Sequence, residues 1–376
     1  MNIRILYFLA FSMSSLLAFL LPIIPIYALY LGASQFMLGL IGAVGAFSYA
    51  FFCLFLGRVR RFLGCVSVAL SFAGFGVFCC LFPLVASSEP IPLLMLLQGL
   101  STSFFWPSVE VLVRGASKKS RVGDSSSNYS FSWSAGAVAG SLASGFALEF
   151  NKLQLAFVFV SIVSFALAAV SAYTIRGNRV YDSFGSDSIS GLNARHIFLE
   201  FKWVWLSIFI YALVQGIVFS LFPAYAEIKS VPKMFIGFII FSIMIGRTAS
   251  FIFFNRMPIR VRENGLEFGM LLMCLGSTPL FLTTNPLTLS ASSFLLGFGL
   301  GLLYLKSFQT IISQSGGIGL YTSIFEGVIG VGSSLSLLGG FMAEKWLEAP
   351  YIIISIASFS TFIILLLLKH EIQWGI

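Results

Sequence analysis

Residues 16–31 read LLAFLLPIIPIYALYL, sixteen positions without a charge. The apolar run extends back to Ile5, long enough for a membrane-crossing helix, which takes about 20 residues. A transmembrane strand would alternate apolar and polar positions over about ten residues. This run is continuous, and so is IIISIASFSTFIILLLL at 352–368. Inside lipid every backbone polar group must be paired internally, and a continuous apolar run meets that condition as a helix. Its length, together with Pro22 and Pro25, separates the first run from a cleaved secretory leader, and it is read as a retained span.

Similar runs recur outward from it. Spans are expected near 5–31, 35–57, 63–86, 91–113, 128–148, 153–175, 203–226, 234–254, 266–283, 287–310, 320–342 and 350–368. The fold class is therefore an all-α polytopic membrane protein of twelve transmembrane helices. Composition agrees: 58% of the 376 residues are hydrophobic and only 10% are charged, against about a quarter in a soluble domain. Such a chain cannot cover a water-facing globule. A soluble enzyme, a disordered regulator and a disulfide scaffold are excluded.

The charges fix an orientation. With the N-terminus in the cytoplasm, sixteen of the 22 basic residues fall on the cytoplasmic side and four (Lys152, Lys229, Lys233, Lys345) on the other. Arg247 and Lys306 lie within spans. This asymmetry follows the positive-inside rule and accounts for the net charge of +8. No soluble basic domain exists to bind nucleic acid. The expected location is the cell membrane, with both termini cytoplasmic. The longest polar stretch, 176–202, divides the spans six and six. It is read as a cytoplasmic linker between an N-terminal bundle (1–175) and a C-terminal bundle (203–376), with a short interfacial helix near Ala194–Lys202.

The two sixes repeat. Shifted by 198 residues, Pro25-Ile-Tyr27-Ala28 lands on Pro223-Ala-Tyr225-Ala226, Gly39 on Gly237 and Arg58 on Arg256. Shifted by 195, Ser141, Gly145, Phe146 and Glu149 land on Ser336, Gly340, Phe341 and Glu344. Parallel six-helix repeats place a substrate site between the halves near the bilayer midplane.

Several segments resemble the major facilitator superfamily. Pro25-Ile-Tyr-Ala-Leu-Tyr-Leu-Gly32-Ala-Ser followed by Gly39-Leu is similar to its first outer turn. Gly57-Arg-Val-Arg-Arg-Phe-Leu-Gly64 stands where the family has a Gly- and Arg-rich loop with an Asp, which is missing here. Gln98-Gly99 resembles a motif whose Arg position holds Met95. Gly136-Ala-Val-Ala-Gly140-Ser-Leu-Ala-Ser-Gly145 is similar to the span-5 motif of antiporters, with Ser141 in place of Pro and Ser144 in place of Gly. The resemblance implies a secondary active transporter that moves a small solute by alternating access, with no cofactor. Export of an amphipathic or drug-like compound is expected first. The alternatives are an uptake permease, or a receptor or lipid scramblase on the same fold. A lipid bilayer and the solute are the expected partners, with a coupling proton or ion, and the chain is expected to act as a monomer.

Ionisable groups within spans are functional candidates by default, because they are expensive there. Arg247 lies deepest and is expected at the cavity, or else in a structural pair. Glu326 and Lys306 fall at similar depth on consecutive spans, where a pair would be a fixed bridge or a gate. Glu110 stands four residues before Arg114, the favourable order for a helical ion pair. These three are the gating or coupling candidates. Trp106, Ser103, Trp133, Tyr211, Gln215 and Tyr304 join Arg247 as substrate-binding candidates, since aromatics with a few polar groups suit a mid-sized, partly apolar ligand. Each is alternatively a packing residue or an interface anchor. The glycines of spans 5 and 11 allow close helix approach, as static packing or as a sliding surface; in the latter case Gly140→Leu or Gly340→Leu blocks transport in a folded protein. Cys53, Cys65, Cys79, Cys80 and Cys274 read as small apolar residues. No metal site and no catalytic motif is present in the sequence.

Overall fold

The computed structural model describes residues 3–55, 66–117, 122–174, 201–312 and 318–368. The basic loop 57–64, nearly all of the 176–202 linker and the interfacial helix expected near Ala194–Lys202 therefore lie outside the described residues, apart from Phe201 and Lys202. The described residues are mostly helical: α1 Ile3–Tyr30, α2 Gln35–Phe55, α3 Val66–Leu81, α4 Ile91–Ala116, α5 Val122–Glu149 and α6 Leu153–Thr174. Then follow α7 Lys202–Ile228, α8 Lys233–Phe253, α9 Gly265–Leu282, α10 Pro286–Ile312, α11 Ile318–Ser334 with its continuation Ser336–Lys345, and α12 Ala349–Leu367.

Among the described residues, ten helices are long and apolar enough to cross a membrane. The two long helices outside that set are α4 and α5. Their sequences explain why: α4 carries Gln98, Ser101, Thr102, Ser103, Glu110 and Arg114, and α5 opens on VGDSSSNYS. Expensive polar groups are kept where a helix faces protein or an aqueous cavity rather than lipid. The opposite situation holds for Phe51, Phe55, Phe150, Phe159, Ile162 and Leu367, which are exposed on the outside of the bundle as a lipid-facing surface requires.

The repeat read from the sequence reappears in the backbone. After α1, Ala33 N–H donates to Ala28 O at 3.0 Å and Gly32 N–H to Leu29 O at 3.0 Å. After α7, Val231 N–H donates to Ala226 O at 2.9 Å and Ser230 N–H to Glu227 O at 3.0 Å. The pivots Gly32 (φ 81°) and Ser230 (φ 59°) are both left-handed, the conformation that ends a helix by tying its last carbonyls back. Each lies 198 residues from the other. Packing repeats as well: α1 on α5 and α7 on α11, α2 on α4 and α8 on α10, α3 on α6 and α9 on α12. The first six helices meet the second six chiefly where α5 packs on α8 and α2 on α11.

Both meetings hinge on glycine. A Cβ on Gly39 would lie 2.8 Å from the Gly340 Cα, and one on Gly145 would lie 3.4 Å from the Gly237 Cα. The repeat offsets relate Gly39 to Gly237 and Gly145 to Gly340, so the two crossings are equivalents of each other. Both sit toward the end of the bundle that holds the α1–α2 turn. Polar bonds close the same end. Tyr30 Oη donates to Glu227 Oε1 at 2.6 Å, Lys233 Nζ donates to Asn151 Oδ1 at 2.8 Å, and Glu344 Oε2 accepts from the Phe36 N–H at 2.9 Å. Ser336 Oγ donates to Gly39 O at 3.2 Å.

Candidate functional site

Beneath that seal lies a cavity of about 440 Å³ between the first six and the second six helices. Each contributing helix presents one face, stepped by three or four residues as helical geometry requires. From α4 come Met95, Gln98, Thr102, Trp106 and Glu110; from α5, Tyr129, Trp133 and Ala137. From α7 come Tyr211, Gln215 and Phe219; from α8, Met244 and Arg247; from α10, Tyr304; from α11, Glu326, Ile329 and Ser333.

Arg247 is 9% exposed. Its Nη2 donates to Met244 Sδ at 3.2 Å, a weak acceptor, and its Nε has no hydrogen-bond partner. The guanidinium carbon stands 5.2 Å from the ring centroid of Trp133, a cation–π contact that reaches from α8 to α5. Next to it, Thr248 and Ser134 join the same two helices by a hydroxyl–hydroxyl bond of 2.6 Å. Among the described residues Arg247 has no carboxylate partner. Gln215 Oε1 and Tyr129 Oη are buried and likewise without a partner. Orphaned polar atoms of this kind are costly in a folded interior unless water or a ligand meets them.

The aromatic groups form a connected wall around the arginine. Trp106 meets Trp133 at 6.5 Å, Trp133 meets Phe251 at 5.8 Å, Phe251 meets Tyr304 at 6.1 Å and Tyr304 meets Tyr211 at 6.0 Å. Phe325 closes on Tyr304 edge-on at 5.5 Å. Phe251 and Phe325 therefore support the wall from behind. Glu110 and Glu326 line the cavity farther from the sealed end, and Glu110 is exposed there.

Six of the seven residues expected to bind substrate share this cavity: Arg247, Trp106, Trp133, Tyr211, Gln215 and Tyr304. Ser103 does not. It is fully buried, with Oγ bonded to Leu100 O at 2.7 Å, because one residue after Thr102 the helix has turned by about 100° away from the cavity. The pairing of Lys306 with Glu326 is also corrected. Glu326 lines the cavity, whereas the Lys306 side chain runs along Gly265 at the start of α9, its Cβ 3.2 Å from where a Gly265 Cβ would stand. The Glu110–Arg114 pair cannot be described, since the Arg114 side chain lies outside the described residues. Gln98, Thr102, Tyr129 and Met244 line the cavity as well, outside the set expected to bind substrate. Their signal was present: Thr102, Tyr129 and Met244 each lie three or four residues from a candidate on the same helix, and Gln98 lies eight residues, about two turns, before Trp106.

Among curated proteins, none shows detectable sequence similarity to the chain. Solved structures match its fold closely. The nucleoside transporter NupG superposes with a TM-score of 0.79 at 13% identity, over 98% of this chain and 99% of that one. A peptide transporter, POT, in complex with sulfate superposes with a TM-score of 0.80 at 14% identity, over 100% of this chain and 95% of that one. The family model of the Major Facilitator Superfamily matches residues 5–316. With polytopic helices, a central cavity and a family match over most of its length, the chain belongs to the major facilitator superfamily, whose members are secondary transporters of small solutes and not enzymes.

Proposed function

We propose that the protein is an uptake permease for a small polar organic solute, which binds in the cavity around Arg247. The observation that carries this reading is the buried cation itself, without a carboxylate partner among the described residues and beside orphaned Gln215 and Tyr129 atoms. A site for apolar drug-like compounds has no need of such groups, and for that reason uptake of a polar solute is favoured over drug export. The names of two structural relatives, a nucleoside transporter and a peptide transporter, lend support, since both solutes are polar.

The architecture proposed is twelve spans in two six-helix bundles, 1–175 and 203–376, joined by a linker at 176–202. α4 and α5 count as spans because their polar residues face the cavity and neighbouring helices. The bias of the basic residues supports cytoplasmic termini, and in that orientation the sealed end faces outward and the carboxylate-bearing mouth faces the cytoplasm. The cavity is complete within one chain, which suits a monomer. Glu326 and Glu110 are the candidates for coupling to a proton or ion.

The test is flux. Proteoliposomes preloaded with unlabelled nucleosides, dipeptides or amino acids should accumulate the matching labelled solute by counterflow, and Arg247→Ala should remove at least nine-tenths of it. Cells expressing the protein should gain that solute from the medium. Extrusion from cells would reverse the direction proposed. Lipid movement without solute counterflow would replace the transporter reading with a scramblase.

A further inference from the structure

The cavity holds opposite charges that do not neutralise each other. Arg247 and Glu326 both line it, and among the described residues neither forms an ion pair with the other or with a third group. Their depths differ. Arg247 is fourteen residues into α8 from the sealed end, or ~21 Å. Glu326 is nineteen residues from Lys345 at that same end, or ~28 Å. Along the bundle axis the two backbone positions are thus offset by about 7 Å. The aromatic wall fills the interval: Tyr304 lies within electrostatic reach of both Arg247 and Glu326 and packs on Tyr211.

Resting on the reading of this cavity as the substrate site, we propose that the solute is a zwitterion with an aromatic or apolar body. Its anionic group meets Arg247, and its cationic group meets Glu326. An anion alone would satisfy the guanidinium but leave a carboxylate facing it across a partly dehydrated space. A cation alone would leave the buried guanidinium without a counter-charge. A molecule carrying both satisfies both, and its body replaces water against Trp133, Tyr211 and Tyr304. The orphaned Nε of Arg247 adds a donor for the anionic group, and the orphaned Oε1 of Gln215 is an acceptor for an N–H or O–H on the body of the solute. Buried polar groups of this kind reject ligands that leave them unpaired.

Three probes of one shape separate the charges. These are 4-(aminomethyl)phenylacetate, with both charges about as far apart as the axial offset; 4-methylphenylacetate, with the anion only; and 4-methylbenzylamine, with the cation only. Binding to the purified full chain is read by quenching of tryptophan fluorescence and by thermal stabilisation. The zwitterion is expected to bind at least tenfold more tightly than either analogue. Arg247→Gln should bring it down to the level of the amine, and Glu326→Gln to the level of the anion. Equal binding of the anion and the zwitterion, or of the amine and the zwitterion, overturns the proposal using the unmutated protein alone. So does failure of all three to bind a protein that melts cooperatively. If other solutes still show counterflow in that last case, the transporter reading stands and only the zwitterion falls.

Discussion

Arg247 is buried, bonded through one nitrogen to a thioether, and stacked over Trp133. A buried charged donor without a full set of partners destabilises the fold, by about 1–3 kcal/mol or more for each unsatisfied group. Methionine has a similar reach and no charge. Arg247→Met should therefore melt at a higher temperature than the parent in the same detergent, while losing solute-dependent stabilisation. Scanning calorimetry or a fluorescence melt checks both at once. A variant that is less stable and still stabilised by solute would show the arginine to be a packing residue. This residue was legible in the sequence because an arginine deep in an apolar run has few structural uses. Ser103 was misread for a related reason. Polarity marks a helix as facing protein, but only the phase of the helix says which side chain reaches the cavity. Counting in fours from Trp106 gives Thr102, Gln98 and Glu110, and all three line it.

At the scale of helices, the glycines divide by what lies opposite. Gly140 faces the Ser15 carbonyl of α1, a contact within the first six helices. An added methyl there meets backbone that cannot yield, so Gly140→Ala should cost about 1–3 kcal/mol of stability, the usual penalty of overpacking. Gly39 faces Gly340 across the two sixes, and the added methyl would meet the Gly340 Cα at 2.8 Å. If α2 and α11 part there, each still keeps its packing on α4 and on α7, respectively. Gly39→Ala should leave the melting temperature nearly unchanged and open the sealed end. The reporter is a cysteine at Ser220, whose side chain packs against Gly42 on the cavity wall. A membrane-impermeant maleimide should label it several-fold faster in the Gly39→Ala background. Unchanged labelling would mean that the glycine crossing is static. The sequence showed these glycines and their repeat offsets. It did not show which faced a partner within its own half and which faced across, because that depends on how the six-helix sets dock.

For the whole molecule, the internal repeat is the feature that the sequence carried most completely. Offsets of 198 and 195 residues related single residues, and the structure turns them into paired turns at Gly32 and Ser230 and paired crossings of α2 on α11 and α5 on α8. A sequence offset cannot reveal the conformational state, which depends on the balance between the two ends of one bundle. Here the end with the α1–α2 turn is closed by those crossings and by Lys233 reaching Asn151 across the divide. If the halves rock about the midplane, that end must separate in each cycle, and a covalent bridge there must stop turnover without blocking entry from the other end. Cysteines at Asn151 and Lys233 joined by a cleavable bismaleimide place such a bridge directly over the native contact. Counterflow should fall at least tenfold on cross-linking and return when the bridge is cleaved, while equilibrium binding of solute to the detergent-solubilised protein stays within about twofold of the uncross-linked value. The two readouts together carry the argument. A transporter closed at one end still binds but cannot deliver, whereas a distorted one loses both. Flux that survives the bridge would show that solute crosses without separation of these ends, and alternating access would have to be abandoned for this protein.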